Sequence, residues 1–217
     1  MKTKRAAAFL FMTAAIRGYR VVVIHGKGNS GDSYRQRLQP LITAPQFQHV
    51  EWVFPTAPYR MRDGHEEFEW WRLPKGERSF TALSYDGAEE SIKQIESMTD
   101  VDALIGHSQG AILMSVVLAR RALGLSSFQT KHAILSGAAW PKPYEKLMNE
   151  LSTLPLCSVP IPTLHVLGAA DDVNPTEQAA EICSFLHGQL LMHPGGHVLP
   201  LDQESIGKYA SFLFSTK

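Results

Sequence analysis

Cysteine is scarce in this sequence. Only Cys157 and Cys183 occur, and they form no C-x-x-C pair. Both lie in apolar segments, which reads as two buried thiols in a reducing compartment. Excess charge is also missing. The 217 residues carry 21 basic and 21 acidic side chains, a formal net charge of zero. Phosphate binding needs a basic surface, so nucleic acid is not expected as a partner. The one basic cluster, Lys2, Lys4 and Arg5, is too small to change this. The nine histidines are scattered and none stands in H-E-x-x-H or a similar ligand spacing. No metal and no cofactor are therefore expected. Gly26 to Gly31 is glycine-rich, but it lacks the Gly-Lys-Ser/Thr ending of a phosphate loop. Its glycines also miss the dinucleotide fingerprint. Repeats and low-complexity tracts are absent.

What is present is ordinary for a globular protein: 44% hydrophobic and 19% charged residues, enough for one domain with a large core. Lys2 to Arg5 precede an apolar run, Ala6 to Ile16, of about 11 residues, against about 20 needed to span a bilayer. No stable membrane insertion is expected. A charged start followed by a short apolar run resembles a targeting peptide. The alternative is an extension packed on the first strand. We read residues 1–17 as that extension or targeting segment and residues 18–217 as the domain. The expected location is cytoplasmic if nothing is cleaved.

Strands and helices alternate along the chain. Arg20 to His25 is a β-branched run suited to a strand buried on both faces. A helix from Tyr34 to about Gln39 follows, capped by Asp32 or Ser33 and disturbed by Pro40. Strands are predicted at 50–54, 101–105, 131–136, 163–167 and 189–192. Helices are predicted at 84–98, 111–123, 141–152, from Pro175 to 187, and at 202–214. Residues 59–80 read as a long loop, aromatic enough to argue against disorder. Residues 154–162 read as a proline-rich link. This alternation predicts an α/β fold with a mostly parallel sheet.

The stretch around which the rest is organised is Gly106-His107-Ser108-Gln109-Gly110. A G-x-S-x-G pentapeptide arises by chance in roughly one chain of this length in fifteen, so alone it decides little. Here it sits between a strand and a helix, the setting of a nucleophile elbow that lifts a serine hydroxyl above the sheet. The later strand ends supply Asp171 and Asp172, then Pro194-Gly195-Gly196-His197. Ser, Asp, His is the order of an α/β-hydrolase. Serine is a poor nucleophile until a base takes its proton, and a carboxylate orients that base. The oxyanion needs two N–H donors. One is expected from Gln109, the other from the His25-Gly26-Lys27 loop, at Lys27.

With these residues in place, the sequence is similar to the FSH family of serine hydrolases. The matching pieces are Val23-Ile24-His25-Gly26, Phe54-Pro55-Thr56-Ala57-Pro58, Trp70-Trp71, Gly87-Ala88-Glu89-Glu90-Ser91, Gly106 to Ala111, Leu135-Ser136-Gly137, Gly168-Ala169-Ala170-Asp171 with Pro175, and Pro194 to Pro200. They cover about residues 20–214. The resemblance implies an α/β-hydrolase fold with Ser108, Asp171 and His197 as triad. It selects Asp171 by its spacing from Gly168 and Pro175. The implied substrate is a small-molecule ester or thioester of short or medium acyl chain. His107 stands where the family has Phe, and Lys27 where it has an apolar residue. The carboxylesterase/phospholipase group, which includes acyl-protein thioesterases, is also similar through His25-Gly26-Lys27-Gly28 and Phe54 to Pro58. A thioesterase or lysophospholipase is thus an alternative within enzymes, and a non-catalytic binding protein on the same fold one outside them.

His25 is expected to shape the oxyanion loop, and His193 to be structural. Asp172 remains a second candidate acid. The Lys27 ammonium is either solvated or meets an anionic substrate. Trp70, Trp71 and Phe80 are candidate pocket residues over the strand ends. Oligomeric state is open.

Overall fold

The computed structural model describes residues 18–61, 66–154 and 161–215. Cys157 and the expected N-terminal segment lie outside these residues.

The described residues form a six-stranded parallel sheet: β1 (Tyr19–Ile24), β2 (Val50–Val53), β5 (Ala103–His107), β6 (His132–Ser136), β7 (Thr163–Gly168) and β8 (Gln189–His193). Their spatial order is β2-β1-β5-β6-β7-β8. Side chains alternate across this sheet with period two, so each face has its own core. Val22, Ile24, Leu104, Ala133 and Leu135 face one side. There they meet α3 (Ala88–Glu96), α4 (Gln109–Ala122), α5 (Glu145–Leu151) and α6 (Thr176–Phe185). Val21, Val23, Ile105, Ile134 and Val166 face the other. They meet α1 (Gly31–Arg37), α2 (Gln39–Ile42) and α7 (Gln203–Leu213). A strand walled on both sides is apolar where it is buried, which is why Val21–Ile24 of β1 and Ala103–Ile105 of β5 are unbroken hydrophobic runs.

Several boundaries differ from the sequence reading. Ser30, not Asp32 or Ser33, caps α1: its hydroxyl accepts the Ser33 amide while the Ser33 hydroxyl accepts the Ser30 amide. This reciprocal box needs a polar residue at both ends of the first turn. The 59–80 segment is not all loop. It holds an antiparallel pair, β3 (Tyr59–Arg60) and β4 (Phe68–Glu69). The helix predicted from 84 begins at Ala88, because Gly87 takes a left-handed φ of 87° that only glycine adopts freely. Among the described residues, no helix is long and apolar enough to cross a membrane. In a parallel sheet all carboxyl ends lie at one edge. The segments after β1, β5, β7 and β8 therefore converge there.

Candidate active site

Ser108 follows β5 directly and precedes the first turn of α4. Its backbone is strained, with φ 54° and ψ −121°, outside the regions that residues with a Cβ prefer. Two glycines make the turn possible. A Cβ on Gly110 would lie 2.1 Å from the Ile24 carbonyl oxygen, and one on Gly106 would lie 2.3 Å from the Met114 sulfur. The helix thus packs against β1 more closely than any side chain permits. Gln109 is the first residue of α4, so its N–H has no intrahelical acceptor and points out beside Ser108 with the positive end of the helix.

His197 follows β8 and Asp171 follows β7. The imidazole Nδ1 lies 2.7 Å from Asp171 Oδ2. The carboxylate is buried, and its other oxygen accepts the amides of Val173 and Asn174, each at 2.9 Å. Held on three sides, the carboxylate fixes the imidazole with Nδ1–H as donor. His197 Nε2 is buried and has no hydrogen-bond partner among the described residues. Gly137 has φ 58°, and a Cβ there would come 2.9 Å from the His197 ring, so the strand end after β6 closes against the histidine. Asp172 is exposed and contributes its carbonyl, not its carboxylate, to the surroundings. His193 accepts the Gly195 amide through Nδ1 and stands apart from this pairing.

Beneath His197 lies His107, with ring centres 4.8 Å apart, and Tyr34 stacks beyond it. Burial, then the neighbouring His197, push the His107 pKa down to about 3. It is therefore a neutral plate at ordinary pH, which accounts for a histidine at a position the resembling family fills with phenylalanine.

The loop after β1 is built just as firmly. Burial lowers the His25 pKa to about 4, and its neutral ring accepts the Ala57 amide through Nε2 at 3.0 Å. Its Nδ1 lies 2.8 Å from the Gly26 carbonyl. Residues 28 and 29 are stitched to Phe68 by two backbone hydrogen bonds of 2.9 and 3.0 Å. The Lys27 side chain is 43% exposed and lines the cavity, and its ammonium pairs with the buried Glu69 carboxylate at 2.9 Å.

Trp70 and Trp71 require a correction. They do not line the cavity at Ser108; both indoles are fully buried in the core. The reason lies in Gln109. Its side chain accepts the Trp70 amide at 2.9 Å and donates to the Trp71 carbonyl at 3.1 Å. The Trp70 indole N–H donates to the His25 carbonyl at 2.8 Å. The tryptophans thus tie the elbow to the β1 loop from below. Phe80 is half-buried and packs on the same core, away from the cavity.

The cavity itself holds about 350 Å³ and is lined by Lys27, Leu73, Glu77, Arg78, Ser79, Ser108, Gln109, Val173, Asn174 and His197. Two larger hollows, of about 500 and 680 Å³, lie at the amino edge of β5 and along β8; neither is lined by a histidine. Among the described residues, no group of three His, Cys, Asp or Glu side chains is placed to hold a metal. The sequence reading missed Glu69, Arg78 and Asn174, whose signals are long-range. Asn174, for example, donates to the Gly137 carbonyl at 2.7 Å across two strand ends.

Residues 12–209 match the family described as serine hydrolase (FSH1). An esterase of Aedes aegypti is 29% identical over 213 residues, covering 89% of this chain and 74% of that protein. Esterase OVCA2 of Danio rerio is 29% identical over 222 residues, covering 89% and 96%. Among solved structures, acyl-protein thioesterase 2 of Zea mays superposes with a TM-score of 0.68 at 20% identity, over 92% of this chain and 94% of that one. This likeness identifies the fold as that of the α/β-hydrolases.

Proposed function

We propose that this chain, which belongs to the serine hydrolase (FSH1) family, cleaves carboxylic esters or thioesters through Ser108, His197 and Asp171. One observation carries the reading. An imidazole held by a buried carboxylate shares a cavity with a serine on a strained elbow, and its second nitrogen has no hydrogen-bond partner among the described residues.

The chemistry follows from those positions. His197 Nε2 takes the Ser108 proton as the hydroxyl oxygen attacks the carbonyl carbon. Positive charge on the imidazole is stabilised by Asp171, which stays ionised. The amides of Gln109 and Lys27 hold the negative oxygen of the tetrahedral intermediate, which contributes several kcal/mol to the barrier reduction. His197 then returns the proton to the leaving alcohol or thiol. Water, deprotonated by the same nitrogen, releases the acid. A cavity of about 350 Å³ with Leu73 and Val173 as its apolar walls suits a short or medium acyl group on a small molecule.

The test is labelling with a fluorophosphonate probe. Wild type should react, Ser108→Ala should not, and His197→Ala and Asp171→Asn should react far more slowly. Labelling that survives Ser108→Ala would reject the nucleophile. A matched panel of esters and thioesters of rising chain length then separates the esterase from the thioesterase reading.

A further inference from the structure

Residues 73–85 leave the fold and return through one neck. Arg72 and Asp86 exchange backbone hydrogen bonds of 2.9 and 3.1 Å there, and their side chains pair at 3.5 Å. The loop between them covers the cavity with Leu73, Glu77, Arg78 and Ser79. It is folded on itself: the Thr81 and Ala82 amides donate to the Arg78 carbonyl, and the Arg78 amide donates to the Thr81 hydroxyl. Its base is anchored to the elbow. The Tyr85 hydroxyl bonds the Ser79 carbonyl, and the Tyr85 ring stacks at 4.5 Å on Trp71, whose carbonyl is held by Gln109.

Its tip reaches the opposite wall through one side chain. Arg78 Nη2 donates to the Val173 carbonyl at 2.9 Å and to the Asp172 carbonyl at 3.4 Å. Among the described residues, these are the only side-chain hydrogen bonds between this loop and residues 171–174. Val173 is also the residue whose amide holds Asp171 Oδ1. The guanidinium thus grips the carbonyl side of the segment whose amide side orients the carboxylate.

We propose that Arg78 is a positioning residue that latches the loop over the cavity to the loop bearing Asp171, so that closing the cavity and aligning Asp171 on His197 are one event. The inference rests on the triad reading above. A guanidinium suits the task, since the two N–H groups of one terminal nitrogen, Nη2, reach two neighbouring carbonyls while the arm spans the cavity mouth.

A double-mutant cycle tests it. Turnover of p-nitrophenyl acetate and the rate of fluorophosphonate labelling are measured for wild type, Arg78→Ala, Asp171→Ala and the double variant, per correctly folded molecule. Arg78→Ala should lower kcat and the labelling rate by about tenfold with KM within about twofold, since the interaction acts on the catalytic groups rather than on the substrate. In the Asp171→Ala background the same change should cost less than about twofold, because the effect passes through the missing carboxylate. Arg78→Lys, which keeps a cationic nitrogen donor but loses the guanidinium's fixed plane and reach, should recover part of the rate. A rise in KM at constant kcat, or an equal loss in both backgrounds, would overturn the latch. Full turnover by Asp171→Ala alone would instead reject the triad reading beneath it.

Discussion

Two buried aspartates sit at opposite ends of the same sheet. Asp102, at the amino end of β5, accepts the Arg20 amide at 2.8 Å and meets the Lys131 ammonium at 2.8 Å. Asp171, at the carboxyl end of β7, accepts two amides and meets an imidazole at 2.7 Å. Their side chains are 5% and 3% exposed, so depth does not separate them. Their partners do. A lysine ammonium ends the chain of interactions, having no acceptor to offer. An imidazole can pass it on: His197 Nε2 has no hydrogen-bond partner among the described residues, and His197 lines one cavity with Ser108, which is the basis of the relay proposed above. A buried carboxylate is a structural brace or a chemical one according to what its partner can do next.

The sharpest test of that contrast is the same substitution at both ends. Asp171→Asn should cut turnover by about 10³-fold or more while leaving the unfolding midpoint close to wild type. Asp102→Asn should do the reverse, costing about 1–2 kcal/mol of stability with turnover per folded molecule unchanged. Urea unfolding beside steady-state kinetics reads both. An Asp102→Asn enzyme with impaired turnover would show the two ends to be coupled.

A smaller effect is expected at Gln109, whose side chain braces the elbow while only its backbone amide is proposed to meet the oxyanion. Gln109→Ala keeps the backbone amide proposed for the oxyanion but strands the Trp70 amide and the Trp71 carbonyl. The expectation is a loss of about 1–3 kcal/mol in stability and a fall in kcat larger than any change in KM. Unchanged turnover would mean that the elbow holds its shape without the tryptophan pair.

The smallest effect concerns pH. His25, His107 and His165 have pKa values held down to about 4, 3 and 3 by burial. The unfolded chain takes up these protons near 6.5 and the folded one does not, so stability is intact above about 6.5 and falls as pH drops toward the folded values. His107→Phe removes one such group. Its unfolding free energy should fall less between pH 7 and pH 5 than that of wild type, by up to about 2 kcal/mol. Its turnover at pH 7 should hardly change, since a flat neutral ring is replaced by another. An unaltered pH slope would show His107 to be charged in the folded protein.

Much of the architecture could be read from order alone. The apolar runs of β1 and β5 announced strands buried on both faces. A parallel sheet then required Ser108, Asp171 and His197 to emerge at one edge. What could not be read is what holds those ends in register. Trp70 and Trp71 looked like pocket residues because nothing in the local pattern of a long loop says which way an indole points. Their direction depends on hydrogen bonds to Gln109 and to His25, 39 and 45 residues away in sequence. Glu69 and Arg78 were missed for the same reason: each is one of several charged residues in a long segment without clear period, and only the fold shows what it meets. Local periodicity reports burial, whereas bracing is a property of pairs.

The neck at Arg72 and Asp86 carries a consequence for divergence. A segment that enters and leaves at one point can lengthen, shorten or change composition with little strain on the sheet, because loop closure grows only slowly more costly with length. Residues 73–85 are in that sense a cassette fitted to a fixed engine, whose sequence can drift toward new substrates while the strand ends stay as they are. Exchanging the cassette between relatives, with the neck and Arg78 kept, is accordingly the shortest route to reshaping that wall of the cavity.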